Sequence, residues 1–194
     1  MRIETERLIL RSFTSDDAAD LFEYLHEPTV HCFVDMKLAT MEDAEKAAAE
    51  RMADDSGLYL AVELKETGKV IGEIFSHAEA TDPMNKALDT YSPCWMLNGA
   101  YQGKGYMYEA AYAYFDALFR EKNARRIYLY TEDDNYACRK LSEKLGMRQE
   151  GLFREFVTFV NGPDGMPIYE NTYQYAVLKK EWDKKAAAVG DGEQ

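Results

Sequence analysis

A glycine-punctuated loop between a strand-like run and an amphipathic helical segment constrains this chain more than any other feature. The run occupies residues 91–97, and the loop that follows at 98–105 reads NGAYQGKG. Beyond the loop, apolar side chains recur at helical spacing on one face. Free backbone N–H groups and the helix dipole favour an anion at a helix N-terminus, so the arrangement predicts a phosphate-binding loop. The apolar face comprises Met107, Ala110, Ala111, Tyr114, Phe115 and Leu118.

Two common phosphate loops do not fit this segment. The P-loop requires a Lys followed by Ser or Thr after the last glycine, whereas Gly105 is followed by Tyr106. The dinucleotide-binding fingerprint requires Gly or Ala at position 108, which is Tyr108. A tight strand-to-helix turn without a ligand remains the alternative for an isolated G-x-G.

The rest of the sequence predicts one mixed sheet with helices on both faces. Thr14 with Asp17, and Thr40 with Asp43, have the spacing of capping boxes before two helices. Gly68 provides a residue that tolerates positive φ in a hairpin turn. The predicted strands are 3–11, 58–64, 70–75, 91–97, 126–131, 151–160 and 168–178, and a further helix begins at Asn135 and ends at Gly146.

Charge and composition exclude several classes of partner. The 194 residues carry 23 Lys and Arg against 35 Asp and Glu, a formal net charge of −12. This disfavours nucleic acid and anionic membrane surfaces, both of which need clustered cations. Three scattered cysteines and three histidines without ligand spacing indicate a reducing cytoplasm and no structural metal. Residues 1–183 are expected to form the domain, and 184–194 a flexible tail.

Five motifs in order resemble the RimJ/RimL branch of the GNAT superfamily, the ribosomal-protein N-terminal acetyltransferase type. The resemblance implies a GNAT-type α/β (α+β) fold with one mixed, mostly antiparallel sheet and a splayed central strand pair. The motifs are TERLILR at 5–11, GKVIGEI at 68–74, QGKGYM at 102–107 with EA at 109–110, NYAC at 135–138 with EKLGM at 143–147, and EG at 150–151 with Arg154.

The same resemblance implies acetyl-CoA as cosubstrate, without a metal. The loop N–H groups would hold the pyrophosphate, while pantetheine would use the unpaired backbone groups of the splayed strands as an added strand would. Asn135 would contact the pantetheine arm. Lys144 could join the cations that meet the adenosine phosphates, although a solvated helix face is an equal alternative for each of them. The expected cofactor-binding residues are Met96, Leu97, Gln102, Gly103, Lys104, Gly105, Tyr106, Met107, Asn135, Arg139 and Lys140.

The implied reaction is direct attack of a neutral amine on the acetyl thioester. A backbone N–H near Met96 or Leu97 would stabilise the oxyanion. Cys138 stands where the branch usually has Ser and could donate a proton to the departing thiolate, with Tyr136 and Tyr91 as alternative acids. A small buried residue is the structural alternative for Cys138.

A general base is not evident in the sequence. Tyr91 stands where related proteins often have a Glu, and Glu73, Asp89 and Glu132 are expected to be surface charges. An α-amine of pKa about 7.8 costs roughly 1 kcal/mol to deprotonate at pH 7, against about 4.6 for a Lys amine. The missing base therefore favours an α-amine or another amine of depressed pKa.

The acceptor is expected to be a protein N-terminus or a small cationic amine, which the acidic surface would attract. Aromatic residues could line its pocket, and a C-terminal edge strand could pair two copies as a homodimer. The substitutions at Tyr91, Met107 and Cys138 also leave open an acyl-CoA-binding regulator without turnover. The aromatic candidates are Phe33, Tyr101, Tyr106, Tyr112 and Phe153.

Overall fold

The computed structural model describes residues 1–28, 30–84 and 86–190. Eight strands contribute to one mixed, mostly antiparallel sheet, which together with the helices confirms the expected fold class. The strands are β1 (Ile3–Glu4), β2 (Leu8–Arg11), β3 (Tyr59–Leu64), β4 (Lys69–Glu79), β5 (Thr90–Leu97), β6 (Arg126–Glu132), β7 (Arg148–Asn161) and β8 (Pro167–Leu178). The helices are α1 (Ala18–Leu25), α2 (Met41–Met52), α3 (Tyr106–Arg120), α4 (Tyr136–Leu145) and α5 (Lys179–Gly190).

The chain forms two compact units, the first of which comprises residues 1–76 and 94–114. Its strands follow the order β1-β2-β3-β4-β5, and helices α1 and α2 pack their apolar faces onto them. The core includes Leu21 and Leu25 of α1, Ala44 and Ala48 of α2, and Met96 of β5. This core fixes the end of β5, where the predicted loop begins.

Both predicted capping boxes are present in the first unit. Thr40 Oγ1 accepts from the backbone N–H of Asp43 at 3.2 Å, and the Asp43 carboxylate accepts from the N–H of Thr40 at 2.9 Å. Thr14 and Asp17 form the equivalent pair before a short 3-10 turn that leads into α1. Gly68 has the expected positive φ, 70°.

The prediction of one strand at 3–11 was wrong. Two short strands pair antiparallel instead, with Ile3 opposite Leu10. The backbone N–H of Thr5 donates to the carbonyl of Leu8 at 3.0 Å, and its hydroxyl accepts from the N–H of Leu8 at 3.0 Å. A Thr side chain that bonds nearby backbone competes with strand pairing, which explains the turn.

The second unit comprises residues 77–93 and 115–194. In it β5 pairs with β6 in parallel, β6 pairs with β8, and β8 pairs with the edge strand β7. The parallel ladder contains only Thr90 with Arg126 and Tyr91 with Ile127. It ends two residues before Pro93, whose nitrogen has no hydrogen to donate. The central parallel pair is therefore short, as the expected splay requires.

Helix α5 was not predicted. Its Trp182 is buried against Phe115 and Phe119, with ring centroids 5.9 and 5.6 Å away, and its indole N–H donates to Asp116 at 3.0 Å. The predicted tail is helical as far as Gly190, and 191–194 lie outside the described residues. Across the ranges that the structure describes, no helix is both long and apolar enough to cross a membrane.

Candidate functional site

The loop after β5 is held in place by its first residue. The backbone N–H of Asn98 donates to the carbonyl of Ile71 on β4 at 2.8 Å. Its side-chain oxygen accepts from the N–H of Ala100 at 3.0 Å, and its amide donates to Glu23 at 2.8 Å. A Cβ at Gly72 would lie 2.3 Å from the carbonyl oxygen of Met96, so only glycine lets β4 approach β5 here. The loop thus begins from a rigid strand end.

Five consecutive backbone N–H groups, from Gly103 to Met107, find no acceptor among the described residues. The first helical bond of α3 is donated one turn later, by Glu109 to the carbonyl of Gly105 at 3.1 Å. Gly103 and Gly105 have φ of 74° and 82°, which a side chain would strain. Free donors at an exposed helix N-terminus form an anion site. The loop has the free donors that the prediction requires, and phosphate binding by it stays a prediction.

The polar side chains of the loop bind its own backbone. Lys104 Nζ donates to the carbonyl of Ala100 at 3.0 Å, and Gln102 Nε2 donates to that of Leu97 at 3.4 Å. Met107 turns its side chain into the core and is buried. Its bulk therefore does not cover the exposed N–H groups.

An ion pair that the sequence analysis did not single out supports the start of α3. Arg7 Nε donates to Glu109 at 2.7 Å, its backbone N–H donates to the same carboxylate at 2.8 Å, and Thr5 donates to it at 2.6 Å. The Arg7 guanidinium also lies 4.4 Å from the Tyr106 ring centroid and donates to the carbonyl of Lys104 at 3.1 Å. The signal was available, since these residues belong to two of the quoted motifs.

The proposed oxyanion donors lie at the end of β5. Because the N–H of Asn98 points to β4, alternation along a strand directs the N–H of Met96 to β4 as well and that of Leu97 away from it. Leu97 is thus the better placed of the two for a ligand beside β5.

In the second unit, the start of α4 holds the predicted thiol and its neighbours. Asn135 caps this helix, its side-chain oxygen accepting from the N–H of Cys138 at 3.1 Å. Tyr136 is exposed, with Arg139 at 5.4 Å from its ring centroid, and Lys140 is exposed as well. Arg139 donates to the carbonyl of Asp133 at 2.7 Å. A role of these residues in cofactor binding stays a prediction.

Burial raises the pKa of the Cys138 thiol to about 11, and the charge of Glu132 adds to the increase. The thiol is therefore protonated at neutral pH. Its high pKa makes it a weak donor to a departing thiolate, whose ordinary pKa is about 8.5. Catalysis by Cys138 stays a prediction that a substitution can decide.

Tyr91 is buried beside the short parallel ladder. Its hydroxyl is directed at the carbonyl of Lys122, 3.5 Å away. Burial, together with the charge of Asp89, raises its pKa. The position suits a packing role, and proton donation by Tyr91 likewise stays a prediction.

The expectation that Glu73 is a surface charge was wrong. Its carboxylate is fully buried in the first unit and accepts from Arg51 Nε at 2.7 Å and Nη2 at 3.1 Å. The hydroxyls of Tyr24 and Tyr59 donate to it at 3.3 and 3.2 Å. Burial raises the pKa of both phenols, and the carboxylate raises it further. Glu73 is the counter-ion of Arg51, with both oxygens occupied.

Of the other two carboxylates, Asp89 takes part in an ion pair at the surface, as expected, whereas Glu132 does not fit the expectation. Asp89 is half-buried and accepts from Arg125 Nε at 2.8 Å, which holds the pKa of its carboxyl below the ordinary value. Glu132 on β6 is buried. No group of three or more His, Cys, Asp or Glu side chains in the described part of the chain could hold a metal ion.

The aromatic residues predicted for an acceptor pocket belong to both units, and a shared role in acceptor binding stays a prediction. Phe33 packs on the core of the first unit, where Tyr101 and Tyr106 also lie 6.3 Å apart. Tyr112 contacts Tyr108 at 6.0 Å. Phe153 belongs to an aromatic cluster of the second unit, in contact with Tyr130 and Phe156.

Comparison with known proteins gives one consistent result. The family described as "Acetyltransferase (GNAT) domain" matches residues 7–148. The chain is 31% identical over 183 residues to the uncharacterized N-acetyltransferase YnaD of Bacillus subtilis, covering 94% of this chain and 100% of that protein. A GNAT-family acetyltransferase structure from Bacillus anthracis is 28% identical, with a TM-score of 0.79, and covers 93% of this chain and 100% of its own.

A more distant structure shares the fold. RimL, a ribosomal-protein alpha-N-acetyltransferase solved in complex with coenzyme A, is 17% identical, with a TM-score of 0.69. The match covers 92% of this chain and 98% of that one.

Proposed function

The chain belongs to the GNAT family of acetyltransferases, and from this membership we propose that it transfers the acetyl group of acetyl-CoA to a primary amine by direct attack. The observation that carries the proposal is the row of free N–H groups from Gly103 to Met107 at the start of α3. These donors match a pyrophosphate in charge and number, and a glycine backbone lets it approach closely.

Acetyl transfer from the thioester to an amine has three requirements. The acceptor must lose a proton, the tetrahedral oxyanion must be stabilised, and the CoA thiolate must leave and take up a proton. The amine nitrogen bonds to the carbonyl carbon, and the C–S bond breaks with its electron pair on sulfur. The N–H of Leu97 would donate to the oxyanion, since it points away from β4.

Proton removal favours an amine that is easily deprotonated. Glu73 is bound by Arg51 and by two tyrosine hydroxyls, so it is unsuited to act as a base. A proton lost to solvent is least costly for an α-amine, at roughly 1 kcal/mol at pH 7. We therefore favour a protein N-terminus or a small cationic amine, as in the RimJ/RimL branch. The scattered cysteines favour a cytoplasmic location.

Release of the CoA thiol, followed with a thiol reagent over a panel of amines, tests the proposal. Amine-dependent release supports acetyl transfer. Stabilisation by acetyl-CoA without release from any amine would support a binding module instead. Acetyl-CoA at about 100 times its Kd should add roughly 2.7 kcal/mol to the free energy of unfolding. No stabilisation at all would contradict the loop as a cofactor site.

A further inference from the structure

Three aromatic side chains of the second unit form an exposed cluster. Tyr130 of β6 lies 5.9 Å from both Phe153 and Phe156 of β7, whose own centroids are 5.0 Å apart. Their exposed fractions are 45%, 37% and 53%. We call these three residues the aromatic cluster. Large exposed apolar side chains that pack together mark interaction sites more often than isolated ones do.

A strained bulge in β7 aims one member of the cluster. Phe153 pairs with Thr172 and Val157 with Glu170, so β7 has three residues where β8 has only Asn171. Glu155 in this bulge has a φ of 48°, and its N–H donates to Asn171 Oδ1 at 3.1 Å. Bulges re-aim side chains beside functional sites, and strained non-glycine residues concentrate there. Phe156, next in the chain, owes its position to this distortion.

Beside the aromatic cluster lie two buried polar groups. Glu132 and Thr172 are paired across β6 and β8, and Thr172 is paired in turn with Phe153. Side-chain alternation places Glu132 on the same face as Tyr130, two residues away. Directly opposite residues have Cβ atoms about 5 Å apart, so the row Glu132, Thr172 and Phe153 is contiguous.

These polar groups lack partners within the described residues. Glu132 is 6% exposed, and its carboxylate has neither an ion pair nor a hydrogen bond there, but its oxygens keep contact with solvent. Thr172 is 3% exposed, and its hydroxyl has no hydrogen-bond partner. A buried carboxylate is costly unless a cation or several donors meet it.

Two arginines of the second unit are bound elsewhere. Arg126, two residues before Tyr128 on β6, is bound by Glu150 through both terminal nitrogens. Arg139 donates to the carbonyl of Asp133 and lies 4.4 Å from the ring centroid of Tyr173. Neither supplies a counter-ion to Glu132.

We propose that Glu132, Thr172 and the aromatic cluster form the acceptor-binding site, which takes a primary ammonium carried on an apolar alkyl or aryl body. This rests on the proposed acetyl transfer to an amine. The carboxylate binds the ammonium, and the hydroxyl accepts one of its hydrogens. The exposed rings cover the apolar body and attract the cation through their faces. A polyamine carries further charged nitrogens along its chain, so it matches the carboxylate but fits the exposed rings poorly.

The test measures binding to the full chain by calorimetry at neutral pH, with and without CoA. The probes are 2-phenylethylamine, a cation at this pH, and 2-phenylethanol, which has the same skeleton without charge. Glu132→Gln keeps the shape of the side chain and removes its charge, and should weaken amine binding about tenfold or more. Glu121→Gln makes the same change at an exposed position after α3 and should leave binding unchanged.

Phe156→Ala tests the aromatic wall independently of the buried carboxylate. It should weaken binding of 2-phenylethylamine more than binding of spermidine, a polyamine. An unchanged melting temperature in each variant shows that the fold is intact. Equal binding of alcohol and amine, an unaffected Glu132→Gln variant, or no amine binding by the native chain would each overturn the site. Amine binding without CoA release contradicts acetyl transfer and leaves the site standing.

Discussion

Arg7 holds the carboxylate of Glu109 from two sides, through its side-chain Nε at 2.7 Å and its own backbone N–H at 2.8 Å. The contact joins the turn before β2 to the first turn of α3, 102 residues along the chain. It brings the opening TER sequence into direct contact with the Glu that follows GKGY in the sequence. Their shared effect is to fix the N-terminus of α3, whose free N–H groups are the proposed pyrophosphate donors.

Glu109→Gln should lower the free energy of unfolding by about 1–3 kcal/mol, because it removes the charge that three donors meet. Chemical denaturation at pH 7 measures the change. Glu4→Gln is the matched control, since Glu4 forms an exposed pair with Arg2 whose loss should cost at most about 1 kcal/mol. Equal effects of the two substitutions would contradict a special role of Glu109.

The same carboxylate predicts a dependence on pH. Burial would raise the pKa of Glu109, but hydrogen bonds from Thr5 and Arg7 outweigh it and hold the pKa below its ordinary value of 4.5. A lowered pKa stabilises the fold above the unfolded value and loses that contribution as pH falls through the folded one. The difference in the free energy of unfolding between the native chain and the Glu109→Gln variant should therefore shrink below about pH 4. A difference in the free energy of unfolding that stays constant from pH 7 to pH 3 would argue against ionisation of Glu109 as its cause.

Gly105→Glu should abolish acetyl-CoA binding, because it places a carboxylate and a strained φ where the pyrophosphate would lie. Gly68→Glu is the control: this glycine has a similar φ, 70°, with no atom within 4 Å of an added Cβ, and lies in the β3–β4 turn. It should cost comparable backbone strain and leave binding intact. Calorimetry with acetyl-CoA measures both variants, and unchanged affinity in Gly105→Glu would refute the loop assignment.

The features that the sequence predicted correctly depend on residues close together in the chain. The capping boxes at Thr14 and Thr40 and the positive φ at Gly68 depend on residues a few positions apart, and all were predicted. The loop at 98–105 was found for the same reason.

The features that could not be predicted from the sequence depend on contacts between residues far apart in the chain. The burial of Glu73 requires Arg51 from α2 and Tyr24 from α1. The residues next to Glu73 in the sequence give no sign of these two partners. The position of Glu132 against Thr172 follows from the β6–β8 register. Helix α5 is anchored by Trp182 in a segment with weak apolar periodicity.

Glu73→Gln should destabilise the fold by about 3–5 kcal/mol, because breaking a buried pair leaves the charge of Arg51 without compensation. Thermal and denaturant unfolding measure the loss. Glu66→Gln, in the exposed β3–β4 turn, is the matched control and should change stability by less than about 0.5 kcal/mol. A small effect at Glu73 would mean that the ion pair is dispensable, and would reopen a catalytic role for this carboxylate.

Cys138→Ala should leave kcat within about threefold of the native value, since the thiol is a poor proton donor to a departing thiolate. Its pKa of about 11, raised by burial from 9.0, keeps it protonated at neutral pH. Alkylation by iodoacetamide should accordingly be slow at pH 7 and accelerate as pH rises toward 11. Tyr136→Phe, at the exposed start of the same helix, removes one of the two tyrosine hydroxyls proposed as alternative acids. A hundredfold fall in kcat for Cys138→Ala, with unchanged melting temperature and unchanged KM for acetyl-CoA, would instead establish the thiol as the proton donor.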